Sequence, residues 1–372
     1  MPRTDDDAPG SVRERTLAAA ELSDLAVGCA VLGAGGGGDP RTGLLMALQA
    51  LEEHGPARLV SFDDLPADGI VMPCGGVGAP TVSIEKFGNG GEGRRLRDRV
   101  EQLYGRPVVA LMAAEIGGSN GLVPIVWASE LGVPVLDADG MGRAFPEMQQ
   151  VSMYVAGISP NPCVLTDERG NTLVIETIGG RWIERVVRAV AVEFGARAST
   201  TEFLLTVEEA REATVPGTVT LAMRIGELLR TAEADPVGEL LAELGGFRLV
   251  QGKIVDVERR TTGGFARGSA LVEGLGDDAG RSLRLEIQNE NLVALEDGRV
   301  LASVPDIITV LDDESGAAIT TERLRYGQRV SVISLPCHQI WRSENGIATA
   351  GPRTFGYEFD YRPVEELHAA GA

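Results

Sequence analysis

Between residues 58 and 139, short apolar runs alternate with helix-length stretches, and this alternation admits few architectures. "RLVSF" (58–62), "GIVMP" (69–73), "PVVALM" (107–112) and "VPVLDAD" (133–139) have the length and content of strands buried on both faces. "GEGRRLRDRVEQLYG" and "GLVPIVWASELG" read as helices between them. Such an order predicts a mostly parallel sheet with helices on both faces, a three-layer α/β domain. Upstream, Leu22, Leu25, Ala26, Cys29 and Leu32 fall at helical spacing. Asp39 and Pro40 then supply an N-cap and a first helical residue for a second helix that runs to Gly55.

The texture changes after about residue 150. "NPCVLTDERGNTLVIETI" reads as a hairpin turning at 168–171, and 181–195 and 216–245 read as helices. From 247 onward the chain is strand-like, with turns such as "EDGR" and "DESG". The expected fold class is α/β plus all-β. Residues 1–15 form a disordered lead-in, 16–175 the α/β domain, and 176–372 a C-terminal domain. That last unit is helical over 181–245 and β-barrel-like over 247–363.

Composition narrows the partners. Of 372 residues, 54 are acidic and 34 are Lys or Arg, for a net charge of −20. Nucleic acid and anionic membranes both want basic surfaces, so neither is expected. The acidic start "MPRTDDDAPG" lacks signal-peptide character, and no run approaches the roughly 18 apolar residues of a membrane span. Four scattered cysteines, Cys29, Cys74, Cys163 and Cys337, fit reduced thiols in a cytoplasmic protein. Three histidines are too few for a multi-histidine zinc site.

"VLGAGGGGDP" (31–40) places Gly33, Gly35 and Gly38 in a GxGxxG pattern. It follows a helix, not a strand, and Glu52 and Glu53 sit inside the next helix, so the dinucleotide fingerprint fails on context. No Lys-Ser/Thr pair follows the last glycine, so the Walker pattern fails as well. Two readings stay open. The run offers backbone N–H groups at a helix N-terminus to an anion or carbonyl, or it lets two helices pack around a sharp turn. Three further loops follow strands: "PCGGVGAPTVSIEK", "AAEIGGSNG" and "DADGMGRAFPEMQQ". In a parallel sheet they meet at the carboxyl ends of the strands, where ligands bind. They bring Glu85, Lys86, Glu115, Asn120, Asp137, Asp139, Arg143 and Glu147 to one edge.

Taken with "LGAGGGGDP" and the C-terminal "GPRTFGYEFDY", these motifs resemble the S-methyl thiohydantoin desulfurase-like proteins, over about residues 20 to 363. The resemblance implies an N-terminal α/β domain, a C-terminal β-barrel-like domain, and removal of the sulfur substituent from an S-methylated thiohydantoin as methanethiol. Water must then attack the ring carbon, which needs a base, an acid and a pocket for a small polar heterocycle. The candidate catalytic carboxylates are Glu85, Glu115, Asp137 and Asp139. Gly35, Gly36, Gly37, Gly38, Lys86, Asn120, Arg143 and Glu147 are the candidate substrate-binding residues. No cofactor is assigned, a divalent metal on the aspartates being left open. The expected partners are a small heterocyclic substrate and further copies of the chain in a homo-oligomer. An ATP-dependent hydantoinase/oxoprolinase-type enzyme and a non-catalytic partner subunit are the rival readings. Cys74 as nucleophile is set aside because the resemblance implies a variable residue at its position, and Cys337-His338 as a pair because neighbours on a strand face opposite ways.

Overall fold

The computed structural model describes residues 15–78, 86, 88–262 and 265–369. Among them lie two sheets. The first contains β1 (Arg15–Thr16), β2 (Arg58–Val60), β3 (Ile70–Gly78), β4 (Val108–Ala113), β5 (Val135–Asp139), β6 (Cys163–Thr166), β7 (Thr172–Ile175), β8 (Arg197–Thr201), β9 (Leu205–Thr206) and β10 (Val215–Pro216). Its path runs β1-β2-β5-β4-β3-β8-β6-β7, with β9 beside β3 and β10 beside β5. The four central strands β2, β5, β4 and β3 are parallel, and every other pairing is antiparallel. The sheet is therefore mixed around a parallel centre. Strands β8, β9 and β10, which the sequence reading did not separate, bring residues 197–216 back into it.

Alternation along the central strands divides the core. Ile70, Met72, Leu111 and Val135 pack with α1 (Ala19–Leu32), α2 (Pro40–His54), α3 (Glu92–Tyr104), α4 (Val123–Leu131) and α8 (Thr218–Thr231). Val71, Met112, Leu136 and Ala138 face the other way. They pack against α5 (Ser152–Val155), α7 (Val207–Ala213) and the C-terminal segment around Trp341 and α10 (Glu344–Ala350). Helices α1 and α8 approach to backbone contact. A side chain at Gly28 would run into the carbonyl of Ala222, and one at Gly226 into that of Asp24. Arg230 closes this crossing with an ion pair to Asp24 at 2.8 Å.

The second sheet is antiparallel: β11 (Phe247–Thr262), β12 (Phe265–Gly274), β13 (Ser282–Gln288), β14 (Glu290–Glu296), β15 (Arg299–Ser303), β16 (Ile307–Asp312) and β17 (Arg329–Leu335). Its order is β15-β14-β13-β12-β11-β17-β16. The sheet curls until β16 comes back toward β14 and β15, a half-barrel with Leu249, Ile254, Leu285 and Val332 in its own core. Helix α6 (Gly180–Glu193) covers the β6–β8 extension of the first sheet, and α9 (Pro236–Leu244) joins α8 to the second.

The entry to α2 follows the capping rules. Asp39 accepts from the N–H of Arg41 at 3.0 Å, and Pro40 opens the helix. Asp39 also pairs with Arg323 at 2.8 Å, which ties the end of the glycine run to the half-barrel. Surface pairs of this kind add little to stability. Asp39→Ala is therefore expected to cost about 1 kcal/mol, the usual size of a lost cap. Urea unfolding checks this, and an unchanged midpoint contradicts it.

Candidate functional site

The glycine run leaves the end of α1 and passes between the two sheets. Ala34, Gly35, Gly37 and Gly38 all have positive φ. The carbonyls of Ala34 and Gly35 accept from the N–H groups of Asn291 (2.8 Å) and Thr321 (2.9 Å) in the half-barrel. The carbonyl of Gly37 accepts from Ser119 at 2.8 Å. A side chain at Gly36 would occupy the place of the Glu290 carboxylate, and one at Gly37 the carbonyl of Gly117. Close packing between two loops and a strand thus accounts for the bare backbone. The N–H groups of Gly37 and Gly38 have no partner among the described residues.

Around this loop the structure gathers Glu115, Arg143, Glu290 and Asn291. Glu115 sits just past β4 and accepts a hydrogen bond from the Asn120 amide. As a residue it is partly exposed, yet its Oε2 is sealed from solvent and has no partner. Glu290 opens β14 and is 2 % exposed, with its Oε2 likewise unpartnered. Arg143 follows β5. Its Nε donates to the carbonyl of Ala144, and Nη1 donates to the carbonyls of Pro305 (2.7 Å) and Asp306 (2.8 Å). Its guanidinium lies 4.3 Å from the centre of the Phe145 ring, while Nη2 has no partner. Asn291 donates to the carbonyl of Ile308 at 3.0 Å and leaves its Oδ1 unpaired. Buried polar atoms are nearly always hydrogen-bonded, so four orphans in one neighbourhood single this cluster out as the candidate site.

The electrostatics agree. Burial pushes Glu115 up to about 8, against its bond from Asn120. Burial and the neighbouring Glu115 raise Glu290 well above the usual carboxylate range, and the Arg143 cation opposes that rise. Burial lowers Arg143 to about 10, with Glu290 the charge that most supports it. One guanidinium among these acids can neutralise a single carboxylate, so the cluster holds a proton at neutral pH.

The two aspartates of β5 are spent on the backbone. Asp137 accepts from the N–H groups of Val219 (3.0 Å) and Thr220 (3.1 Å) and from the Thr220 hydroxyl (2.5 Å), which caps α8. Asp139 accepts from the N–H groups of Ile116 (2.7 Å), Met141 (3.0 Å) and Gly142 (2.8 Å). It lashes the loop that carries Glu115 to the loop that carries Arg143. Lys86 lies elsewhere, paired with Glu168 at 3.0 Å and bonded to the carbonyl of Phe194. Glu147 accepts from Gln149 and lines a separate cavity of about 530 Å³, which none of Glu115, Arg143 or Glu290 lines. Glu85 falls outside the described residues. The structure therefore brings together the glycine run, Glu115, Asn120 and Arg143, and adds Glu290 and Asn291. Among the described residues no group of three or more His, Cys, Asp or Glu is arranged to hold a metal ion. Cys74 is buried with its thiol pushed far up, and Cys337 contacts Tyr361 at 3.7 Å while His338 faces outward.

These raised values have a consequence for folding. Glu115 is held at about 8, and burial holds Asp139 and Glu202 at about 7. Each binds its proton more tightly folded than unfolded. The stability they contribute is full below the unfolded values of 3.8 to 4.5 and is lost as pH rises through 7 to 8. The melting temperature is expected to fall across that window, and Glu115→Gln to make the fall shallower. A profile that is flat there, or unaltered in the variant, contradicts this.

Two family matches cover nearly all of the chain: the S-Me-THD-like N-terminal domain matches residues 20–177, and the S-Me-THD-like C-terminal domain matches residues 179–364. A comparison with curated proteins finds no match. Among solved structures, the crystal structure of a protein from Chromobacterium violaceum is similar over 94% of this chain and 100% of its own. Its TM-score is 0.77 at 23% identity, a likeness of fold. No helix among the described residues is long and apolar enough to cross a membrane. With both halves matched in order, the chain belongs to the S-Me-THD-like family, the S-methyl thiohydantoin desulfurase-like proteins.

Proposed function

We propose that this protein is a hydrolase of a small cyclic amide or thiohydantoin, and that its reaction is desulfuration of an S-methyl thiohydantoin with release of methanethiol. The observation that carries the reading is the pair of sealed carboxylates, Glu115 and Glu290, with an unpartnered oxygen on each and an unpartnered Arg143 nitrogen beside them. Hydrolysis at a ring carbon needs an acid and a base in one dry place, with a charge to hold the ring.

Burial raises both acids and the pair shares one proton; because the Arg143 cation opposes the rise at Glu290 and Glu290 is the charge that most supports Arg143, we assign the ionised form to Glu290 and the proton to Glu115. A water gives a proton to Glu290 as its oxygen bonds to the carbon that bears sulfur. The carbon–nitrogen double bond opens, and the ring nitrogen takes the Glu115 proton. In the second half the new hydroxyl returns a proton to Glu115 as it becomes a carbonyl. The carbon–sulfur bond breaks, and the leaving thiolate takes the proton from Glu290. Both carboxyls end as they began, and the products are a hydantoin and methanethiol. Arg143 Nη2 and Asn291 Oδ1 hold the ring, with the free N–H groups of Gly37 and Gly38 available to a ring carbonyl. Asn120 orients Glu115, while Asp137 and Asp139 fix the loops.

The test is release of methanethiol from an S-methyl thiohydantoin by the purified chain. Glu290→Gln keeps size but cannot accept a proton, and is expected to lower kcat by about a hundredfold. A proton held on Glu115 serves as the acid only below its own value. So kcat/KM should decline as pH rises through about 8. A rate that instead rises through that pH would make Glu115 the base and exchange the two roles. No methanethiol from any S-methylated thiohydantoin would remove the reaction itself.

A further inference from the structure

The C-terminal motif "GPRTFGYEFDY" supplies no residue to the Glu115–Glu290–Arg143 cluster, yet it walls a cavity of its own. Phe355 and Tyr357 stand over β11, β12 and β13 and enclose about 520 Å³, in the range of small-molecule sites. Strand register builds the floor. Arg260 on β11 stands opposite Arg267 on β12, and Arg267 opposite Gln288 on β13. The neighbouring row is Glu258, Ser269 and Glu286. Residues directly opposite share a face, and like charges so placed are destabilising. Neither Arg260 nor Arg267 has a carboxylate partner among the described residues. Arg284 pairs with Glu286 at 2.5 Å, and Arg259 donates to the carbonyls of Glu322 and Leu324. The lining holds four guanidiniums against two carboxylates, so two positive charges go unmatched in a chain of net charge −20.

A second observation does not depend on charge. Ser269 is 6 % exposed and Gln288 4 %, and both line the cavity. Neither side chain makes a hydrogen bond among the described residues, and the polar atoms of both are open to the cavity instead of sealed behind it. Buried polar side chains are nearly always hydrogen-bonded, so two that meet only the cavity mark its floor as a binding surface. Burial and the nearby Glu286 push the Tyr357 hydroxyl up to about 12, against Arg267 and Arg284, so it too is a donor at neutral pH.

We propose that this cavity binds a small phosphate monoester, its dianion between Arg260 and Arg267, with Ser269 and Gln288 donating to its oxygens and its body against Phe355 and Tyr357. Two guanidiniums opposite one another on neighbouring strands converge on a single group that carries both charges. A dicarboxylate spreads its charges along a chain, and a monocarboxylate leaves one guanidinium unmatched. The lining includes none of Glu115, Arg143 and Glu290, so the site is tested apart from any hydrolysis.

Calorimetric titration of the full chain at about pH 8, where a phosphate monoester is a dianion, uses phenyl phosphate, inorganic phosphate and succinate. Phenyl phosphate is expected to bind at least roughly tenfold tighter than succinate, the scale of one charge-assisted contact, and tighter than inorganic phosphate, which leaves the aromatic wall bare. Arg267→Gln alters an exposed side chain, so the fold survives, and should weaken phenyl phosphate by a similar factor. Gln288→Leu should weaken it as well. Vesicles containing phosphatidic acid carry the same headgroup chemistry, and the acidic chain is expected not to sediment with them. Absence of phenyl phosphate binding, equal affinity for phenyl phosphate and either other probe, affinity unaltered by Arg267→Gln, or binding to the vesicles alone would overturn the proposal.

Discussion

A guanidinium cut off from water holds the two sheets together at the point where the site forms. Arg143 is 1 % exposed, and three of its hydrogen bonds go to main-chain carbonyls, two of them in the half-barrel. Carbonyls cannot neutralise it, so the charge must be met nearby, and Glu290, Asp306 and Glu115 are the acids at hand. Removing one partner of such a group strands the other, which is why buried charges enforce a geometry more than they stabilise it. The arrangement explains why β14 opens with an acid where an apolar residue would pack more cheaply. It also explains why the glycine run must be bare, because the Glu290 carboxylate lies where a side chain at Gly36 would go.

The supporting carboxylates work by a different principle. Asp139 and Asp306 each gather main-chain N–H groups from separate segments, and Asp137 takes those at the start of α8. Asp306 takes the N–H groups of Cys337 (2.9 Å) and Val364 (2.8 Å) and the Tyr361 hydroxyl (2.9 Å), which anchors the C-terminal motif. Such acids fill their lone pairs with donors and have none to offer a reacting molecule. Glu115 and Glu290 each keep an oxygen without a donor. That contrast separates acids that position loops from acids suited to chemistry.

Much of this was legible in the residues. Short apolar runs and helical spacing marked the central strands, α1 through α4, and the strand-rich second half, because burial dictates pattern. The Asp39-Pro40 start and the turn near 168–171 followed from local backbone rules. Residues 216–245 read as one helix but form α8 and α9, broken before Pro236. Glu115, Asn120 and Arg143 were placed at one edge by topology, while the glycine run, which follows a helix, admits two readings. Glu290 was not placed, since "SLRLEIQNENLVALEDG" reads only as strand-like chain, and its burial depends on a loop more than 250 residues away. Asp137 and Asp139 share a strand face as alternation requires, but which groups fill their oxygens is a tertiary fact.

The return of residues 197–216 to the first sheet bears on how the chain is made. Strand β3 pairs with β8 and β9, β5 pairs with β10, and the β6–β7 hairpin joins the sheet only through β8. A nascent chain that has emerged only as far as residue 177 would carry a half-dressed sheet, with the flank of β3 and the whole hairpin waiting for partners. Unpaired strand edges invite association with other chains. The first sheet thus cannot close vectorially as its strands leave the ribosome, and its completion waits until the polypeptide has passed Pro216.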